Sequence, residues 1–278
     1  MNKKQEIINL FNKNVKGKKA DLTGYNGRHH GKEGHWLERQ MGIDPNGKNE
    51  ADLFGYEMKK DTTSKTTFGD WSPDFAIWKS NTPSQLPRVN RATQILKYFG
   101  WKSKATNTNL PRINRDTQFL KYFGKPNQTK NGRLSWSGEP APKVKGYNKF
   151  GQILRVDKES NILACYSFSK DTRKDKATLM PTQFQYDDII LAKWLKTSIK
   201  EKLERKFNDK GWFKCYKNTA GIYTSIGFGD PISYDVWINL VKKGVVFYDS
   251  GMYAGNPRPY AQWRADNNFW DSLVTDKH

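Results

Sequence analysis

The sequence predicts a single α/β structure with lobes, and three observations support that fold class. The 278 residues are 36% hydrophobic and 14% aromatic, which is enough apolar material for a large packed core. Segments with apolar residues at helical spacing alternate along the chain with short strand-like runs. No Pro/Ser/Gly-rich linker divides the sequence, so these segments are expected to fold together.

The N-terminal third predicts two helices and three strand segments. Gly42 is expected to end the second helix, and Gly55 is expected to bend the chain between the first two strand pieces. The predicted elements are a helix over 3–12, a helix from 32 or 33 to 41, strand pieces on both sides of Gly55 within 51–60, and a strand over 74–78.

An internal repeat follows. Residues 86–100 and 110–124 are identical at twelve of fifteen positions. Two copies are too few for a solenoid, so a local duplication is the simpler explanation. Each copy predicts a short helix that ends at a glycine, Gly100 or Gly124.

The C-terminal half predicts further strands and helices. Its longest helix is predicted from five apolar residues that recur at every fourth position from Leu191 to Phe207. The other predicted elements are an antiparallel hairpin over 151–168, a strand over 221–229, a helix capped by Ser233 and ended by Gly244, and a short buried strand over 245–249.

The net charge of +20 indicates a polyanionic partner. There are 48 Lys and Arg against 28 Asp and Glu, a surplus that is unfavourable in a compact chain unless an anion neutralises it. The basic residues are interspersed with aromatic residues and do not lie on one amphipathic helix, which favours nucleic acid over a membrane surface. A basic surface with no specific partner is the alternative.

Composition also argues against several protein classes. No apolar run approaches the roughly 18 residues that span a bilayer, and the N-terminal segment lacks the features of a signal peptide. We therefore expect a cytoplasmic protein that does not bind membranes. Cys165 and Cys215 are not part of a CxxC motif or a Cys/His cluster, which argues against a disulfide framework and a structural zinc site.

The most basic segment lies between Leu86 and Lys149. It has 14 Lys and Arg against two acidic residues, a net charge of +12. We expect this segment to contact nucleic-acid phosphates, through side chains that include Arg112, Arg115 and Arg133. A solvated basic insertion is the alternative.

Asp52, Glu57 and Lys59 form the most informative group of polar residues. Residues two apart on a strand point to the same face, so Glu57 and Lys59 project together, and the bend at Gly55 can bring Asp52 beside them. Two carboxylates suit Mg²⁺, which would neutralise charge on a scissile phosphate and lower the pKa of a bound water. Lys59 would then orient or deprotonate the attacking water.

Glu-x-Lys alone is a weak signal. Glu204 and Lys206 form a second such pair, but it lies on the long predicted helix, where residues two apart do not face each other. That pair is therefore not expected to build the same site. An ordinary exposed ion pair is the alternative explanation for Glu57 and Lys59.

Three segments of the chain carry a resemblance to a known family. They are GKEGHWLERQMGI, EADLFGYEMKK and FLKYFGKPNQTKNGRLSWSGEP. These segments resemble the MvaI and BcnI group of type II restriction endonucleases, in the MutH-like branch of the PD-(D/E)xK nucleases. That group has a Leu-Glu pair on a helix, here Leu37 and Glu38, followed by an Asp and then by Glu-x-Lys. The order matches Asp52, Glu57 and Lys59 of this sequence.

The resemblance implies a PD-(D/E)xK core, with a central mixed sheet flanked by helices and two lobes around a DNA-binding cleft. Glu38, Asp52 and Glu57 would hold one or two Mg²⁺ ions and carry the hydrolysis, with Lys59 as the catalytic lysine. Lys60 follows Lys59 directly, so an exchange of the lysine role stays open. The extra repeat copy departs from the group and leaves the DNA path around 86–109 open.

Base recognition is expected in the last quarter of the chain, where the resemblance also places it. An arginine fork matches O6 and N7 of guanine, and an aspartate can accept from N4 of cytosine. For Arg264, the alternative is stacking on the neighbouring Trp263 with a phosphate contact. The candidate residues are Asp249, Arg258, Gln262 and Arg264.

These inferences predict a type II restriction endonuclease that hydrolyses double-stranded DNA with Mg²⁺ and leaves 5′-phosphate and 3′-hydroxyl ends. The resemblance implies a monomer that works beside a DNA methyltransferase of the same specificity. The alternatives are a MutH-like repair nicking enzyme and a non-catalytic DNA-binding protein with a nuclease-like fold. The expected divisions are a catalytic lobe over 1–85, a basic insertion over 86–150, and the remaining core with the recognition lobe over 151–278.

Overall fold

The computed structural model describes residues 2–25, 31–44, 49–78 and 113–278. The chain divides into two compact units, each built from segments that are not contiguous in sequence. The first unit comprises Met1–Phe68, Lys200–Trp237 and Ala265–His278, and the second comprises Gly69–Ile199 and Ile238–Arg264. The domain boundaries predicted near 86 and 151 stay a prediction, and the first of them lies outside the described residues.

The α-helices of the described residues are short. None of them is long and apolar enough to cross a membrane. They are α1 (Lys3–Asn14), α2 (Lys32–Gln40), α3 (Leu120–Phe123), α4 (Lys176–Leu179), α5 (Lys196–Phe207), α6 (Tyr234–Lys242) and α7 (Asn267–Ser272).

The strands are distributed over the whole described chain. They are β1 (Tyr56–Lys60), β2 (Lys65–Asp70), β3 (Phe75–Ala76), β4 (Lys125–Asn127), β5 (Arg133–Trp136), β6 (Phe150–Val156), β7 (Ile162–Asp171), β8 (Ile189–Trp194), β9 (Gly211–Lys217), β10 (Tyr223–Gly229), β11 (Phe247–Ser250), β12 (Met252–Tyr253), β13 (Ala261–Asp266) and β14 (Val274–Lys277).

The first unit is built on a mixed four-stranded sheet in the order β1-β9-β10-β14. Strand β1 runs parallel to β9, and the other neighbours are antiparallel. Helices α1 and α2 pack on this sheet through a buried apolar cluster that includes Phe11, Leu37, Met58 and Phe213. Because side chains alternate along a strand, burial of Met58 in this cluster directs Glu57 and Lys59 to the opposite face of β1.

Both N-terminal helices occur where the sequence predicts them. Helix α1 is capped by Asn2, whose side chain accepts a hydrogen bond from the Lys4 amide at 3.0 Å. Helix α2 is followed by Gly42 with a φ of 77°, a left-handed conformation that glycine adopts without strain. Gly42 thus follows the end of the helix that carries Glu38.

The second unit contains an antiparallel sheet in the order β3-β8-β7-β6, a sheet in the order β12-β5-β4, and an antiparallel pair of β11 with β13. The predicted hairpin is confirmed as β6 and β7. Aromatic rings fill the interior, and Trp194 and Trp263 are both fully buried with ring centroids 5.4 Å apart. Tyr248 joins them at 5.0 Å from Trp194.

The prediction of a helix beginning at Leu191 is wrong. Leu191 lies in β8, all six residues of which are buried, and the helix α5 begins only at Lys196. The four-residue spacing from Leu191 to Leu195 is coincidental, because IILAKW is a short, mainly apolar run that suits a fully buried strand. The change from strand to helix occurs where the Leu195 amide donates to Asp74 Oδ2 at 2.8 Å.

Two other expectations are refined. The strand predicted over 74–78 is reduced to Phe75–Ala76.

The first copy of the repeat lies outside the described residues. In the second copy, a π-helical turn from Arg115 to Phe119 precedes α3, and Gly124 follows it as predicted. The Asn114 side chain caps this turn by accepting from the amides of Asp116 and Thr117.

Candidate active site

The chain reverses direction immediately before β1. Leu53 and Tyr56 exchange backbone hydrogen bonds of 3.0 and 2.9 Å across Phe54 and Gly55, whose φ values are 52° and 87°. The Asp52 amide also donates to the Tyr56 carbonyl at 3.0 Å. The bend predicted at Gly55 therefore places Asp52 beside the start of β1.

The carboxylate of Asp52 is anchored to β1. Its Oδ2 accepts a hydrogen bond of 2.8 Å from the amide of Met58, the residue after Glu57. Burial and the negative charge of Glu57 raise the pKa of Asp52 to about 7, although the Met58 hydrogen bond and nearby lysines oppose this rise. Asp52 and Glu57 are thus brought together as predicted, and a cation would relieve their repulsion.

Glu57 and Lys59 form a buried ion pair on one face of β1. The Lys59 Nζ lies 2.7 Å from Glu57 Oε1, and the two residues are only 5% and 3% exposed. The alternative of an ordinary exposed ion pair is therefore wrong. Within the described residues, Glu57 Oε2 is buried and has no hydrogen-bond partner. A buried carboxylate oxygen in this state suits a cation.

Aromatic rings enclose Lys59. Its Nζ lies 4.9 Å from the ring centre of Phe207 and 5.9 Å from that of Trp270. Burial lowers the pKa of Lys59, and the negative charge of Glu57 opposes that effect. A lysine with a lowered pKa is better able to exchange a proton near neutral pH than an exposed one.

Lys60 occupies a different position from Lys59. Strand alternation turns it to the other face of β1, where its side chain approaches Gly34 of α2. Lys59 is therefore the lysine that shares a face of β1 with Glu57.

Glu38 lies half-buried on α2. Burial raises the pKa of Glu38, and the negative charge of Glu57 adds to that effect, whereas His35, Lys206 and Lys60 act in the opposite direction. Glu38 is thus an electrostatic neighbour of Glu57.

No three His, Cys, Asp or Glu side chains in the described segments are arranged as a complete metal-binding group.

Lys206 is a residue of this site that the sequence did not reveal. It lies on α5, and its Nζ is 2.9 Å from Glu57 Oε1. The helix around Glu204 and Lys206 is confirmed, so the pair does not form a second Glu-x-Lys site. The sequence carries no local signal for the contact between Lys206 and Glu57, because it arises from the packing of α5 against β1.

The second unit brings three of the candidate base-reading residues together. Arg264 Nε lies 3.2 Å from Asp249 Oδ2 and donates to Gln262 Oε1 at 2.7 Å. Asp249 and Gln262 are directly opposite each other in the pairing of β11 with β13. The stacking of Arg264 on Trp263 is wrong, because adjacent strand residues point to opposite faces and Trp263 is fully buried.

Two predicted DNA contacts, Arg115 and Arg258, line one groove of about 950 Å³ in the second unit. Arg115 is paired with the adjacent Asp116 at 2.6 Å, whereas Arg258 is exposed. Arg133 stacks on Tyr253 with its guanidinium carbon 3.6 Å from the ring centre. Arg112 lies outside the described residues.

Residues 15–278 match the LlaMI restriction endonuclease family. The chain belongs to that family. The type II restriction enzyme ScrFI of Lactococcus lactis subsp. cremoris is 45% identical to it over 290 residues, covering 99% of this chain and 98% of that protein. The predicted resemblance to type II restriction endonucleases is thereby confirmed.

A solved structure is similar to this LlaMI-family chain as a whole. It is the complex of restriction endonuclease MvaI with its cognate DNA substrate, which matches with a TM-score of 0.53 and 12% identity over 99% of this chain and 95% of that one. The predicted restriction-endonuclease-like α/β fold is confirmed by this similarity. The enzyme class predicted from the sequence, a type II restriction endonuclease, is confirmed by the family and by ScrFI.

Proposed function

We propose that this LlaMI-family enzyme cleaves double-stranded DNA at a specific sequence with Mg²⁺ as its cofactor. The observation that carries the proposal is the arrangement of Asp52, Glu57 and Lys59, with a buried ion pair of 2.7 Å between Glu57 and Lys59 and Asp52 hydrogen-bonded to the same strand. Hydrolysis would add water to phosphorus and break the bond to the 3′ oxygen, giving 5′-phosphate and 3′-hydroxyl ends.

The residues present fit a divalent cation. Glu57 Oε2 is buried without a hydrogen-bond partner among the described residues, and the charge of Glu57 contributes to the raised pKa of Asp52. Asp52 and Glu57 would hold the ion, with Glu38 nearby. A bound Mg²⁺ supplies positive charge to the scissile phosphate and makes a water molecule more acidic.

The protein groups have separate roles in this proposal. Lys59 orients the attacking water and donates a hydrogen bond to charge that develops on the phosphate. The Phe207 and Trp270 rings exclude water around Lys59, which strengthens its electrostatic interactions. Glu38 adds negative charge at the edge of the site and supports cation binding.

DNA binding is assigned to basic and polar side chains of the second unit and of the basic segment. Arg112, Arg115 and Arg133 contact phosphates, in keeping with the charge of that segment. Arg258 and Arg264, with Asp249 and Gln262, read bases. Neutralisation of phosphates by these groups makes affinity fall as salt increases.

A plasmid digestion tests the proposed function. A sequenced supercoiled plasmid is incubated with the wild-type enzyme and Mg²⁺, with Glu57→Gln protein as the matched control. Discrete fragments with ligatable 5′-phosphate ends are expected. Nicked circles would support a repair-type nicking enzyme instead, and binding without cleavage would support a DNA-binding protein.

Three further properties belong to the same proposal. We infer that the enzyme acts as a monomer in the cytoplasm and is paired with a DNA methyltransferase of the same specificity. The methyltransferase would protect host sites. Resistance of methylated plasmid to digestion tests the pairing with a methyltransferase, the mass measured by light scattering tests the monomer, and fractionation of the host cells tests the location.

A further inference from the structure

Lys206 provides a second ammonium group for the Glu57 carboxylate. Its Nζ lies 2.9 Å from Glu57 Oε1, the oxygen that also accepts from Lys59 at 2.7 Å. Because a carboxylate oxygen has two lone pairs, these two contacts use the acceptor capacity of Oε1. Oε2 accepts no hydrogen bond within the described part of the chain.

Lys206 also acts on the other candidate catalytic groups. Burial is the largest influence on the pKa of Glu38, Asp52 and Lys59, and the positive charge of Lys206 acts on all three. With its direct contact to Glu57, Lys206 is therefore an electrostatic neighbour of all four predicted catalytic residues.

The position of Lys206 is fixed by the end of α5. The next residue, Phe207, is fully buried, and its ring lies 5.6 Å from that of Phe68 and 6.1 Å from that of Trp270. The Lys206 side chain is 16% exposed, compared with 6% for Lys59. Lys206 is thus held at the site but remains more accessible to solvent than Lys59.

We propose that Lys206 is a positioning residue for DNA cleavage. Together with Lys59 it holds Glu57 Oε1 and leaves Oε2 for the divalent cation, and this role rests on the proposed function. Its charge also lies beside the cation-binding oxygens, so it weakens cation binding in the DNA-free enzyme. Charge repulsion of a divalent ion acts over several ångströms and outweighs the loss of one hydrogen bond to Oε1.

Lys206→Met tests this role, with Lys200→Met as the matched control. Lys200 is an exposed lysine of the same helix. Ca²⁺ binding to the DNA-free protein is measured by titration calorimetry, and single-turnover cleavage is measured at saturating Mg²⁺ and DNA. We expect Lys206→Met to bind Ca²⁺ at least about threefold more tightly and to cleave at least about tenfold more slowly. Lys200→Met should match the wild type in both measurements.

Lys206→Arg and Lys206→Gln separate the charge from the packing. Lys206→Arg retains the charge, so the Ca²⁺ affinity of this variant should stay within about twofold of wild type. Its cleavage rate should lie between those of Lys206→Met and wild type. Lys206→Gln removes the charge and should behave like Lys206→Met. If Lys206→Met does not fold, Lys206→Gln is judged by the same criteria. An unchanged Ca²⁺ affinity, or an unchanged cleavage rate, in the folded variant overturns the proposal.

Glu57→Gln distinguishes this inference from the proposed function. Loss of Ca²⁺ binding in Glu57→Gln is expected, and retention of wild-type Ca²⁺ binding would place the cation elsewhere and overturn the role of Lys206. If the wild-type enzyme cleaves no DNA, the proposed function fails, whereas the Ca²⁺ titrations still decide whether Lys206 lies beside a cation site on Glu57.

Discussion

Asp52 binds the backbone amide of Met58, and this contact holds its carboxylate beside Glu57. The hydrogen bond is 2.8 Å long, and burial together with the charge of Glu57 raises the pKa of Asp52 to about 7. Two carboxylates that are held together despite their mutual repulsion are typical of a functional site rather than of a structural ion pair.

Replacement of either carboxylate should abolish cleavage and retain DNA binding. Asp52→Asn and Glu57→Gln each remove a proposed cation ligand without changing side-chain size, so we expect cleavage to fall by at least about 10³-fold. Single-turnover cleavage and DNA binding in EDTA measure the two properties separately. A variant that cuts at the wild-type rate contradicts the assignment of its residue.

The contribution of Asp52 to the stability of the metal-free enzyme should fall as pH rises from about 4 to about 7. In that range the folded protein keeps the Asp52 proton, whose pKa is raised to about 7, while an unfolded aspartate with an ordinary pKa near 3.9 loses it. The contribution of Asp52 is therefore favourable at low pH and is lost as pH passes through the folded value. Thermal unfolding in EDTA should show this slope, and Asp52→Asn should flatten it.

The site shows how far local sequence patterns can predict structure. The common face of Glu57 and Lys59, and the bend at Gly55, follow from strand alternation and glycine conformation, which are local properties. The contact of Lys206 with Glu57 depends on where α5 packs, and the four-residue spacing at Leu191 gave the wrong element. A correct prediction of either feature needs tertiary contacts between segments that are distant in sequence, and no single segment encodes those contacts.

The second unit illustrates the same limit. The proximity of Asp249, Gln262 and Arg264 depends on the register of β11 with β13, which the sequence left undetermined. The stacking alternative for Arg264 failed because residues adjacent on a strand point to opposite faces. Strand alternation, applied to Trp263 and Arg264, would have excluded that alternative without a structure.

Gly55→Ala should disturb both stability and cleavage. Gly55 has a φ of 87°, and a β-carbon there would lie 2.1 Å from Asp209 Oδ2. We expect a loss of about 1–3 kcal/mol in the free energy of unfolding and a cleavage rate at least about tenfold lower, since the bend positions Asp52.

Gly132→Ala is the control for this change. Gly132 also has a positive φ, 70°, but open space surrounds its β position. It should lose stability through backbone strain without a matching loss of cleavage. Equal losses of cleavage in the two variants would contradict a specific role for the bend at Gly55.

Both cysteines should be unreactive in the folded enzyme. Cys165 and Cys215 are fully buried, and burial raises the pKa of Cys165 to about 12 and that of Cys215 as well. Because the thiolate is the reactive form, iodoacetamide at pH 8 should label neither residue until urea unfolds the protein. Labelling of either cysteine in the absence of urea, detected by mass spectrometry, would contradict their buried positions.

Asp249 and Arg264 should affect sequence specificity more than general DNA affinity. Asp249 lies 3.2 Å from Arg264 Nε, so its carboxylate helps to orient the guanidinium fork. Arg264→Lys removes the fork and should weaken cognate binding by about 1–3 kcal/mol, and Asp249→Asn should do so to a smaller extent. Binding is measured by fluorescence anisotropy in Ca²⁺. The cognate duplexes are designed from the fragment ends of the plasmid digestion, and scrambled duplexes of equal length are compared with them.

Lys130→Gln is the control, a change at an exposed lysine of the basic segment. It should weaken binding to both duplexes equally and reduce the slope of log affinity against log salt concentration by about one. If Arg264→Lys weakens cognate and scrambled duplexes equally, Arg264 contacts phosphate and does not read a base.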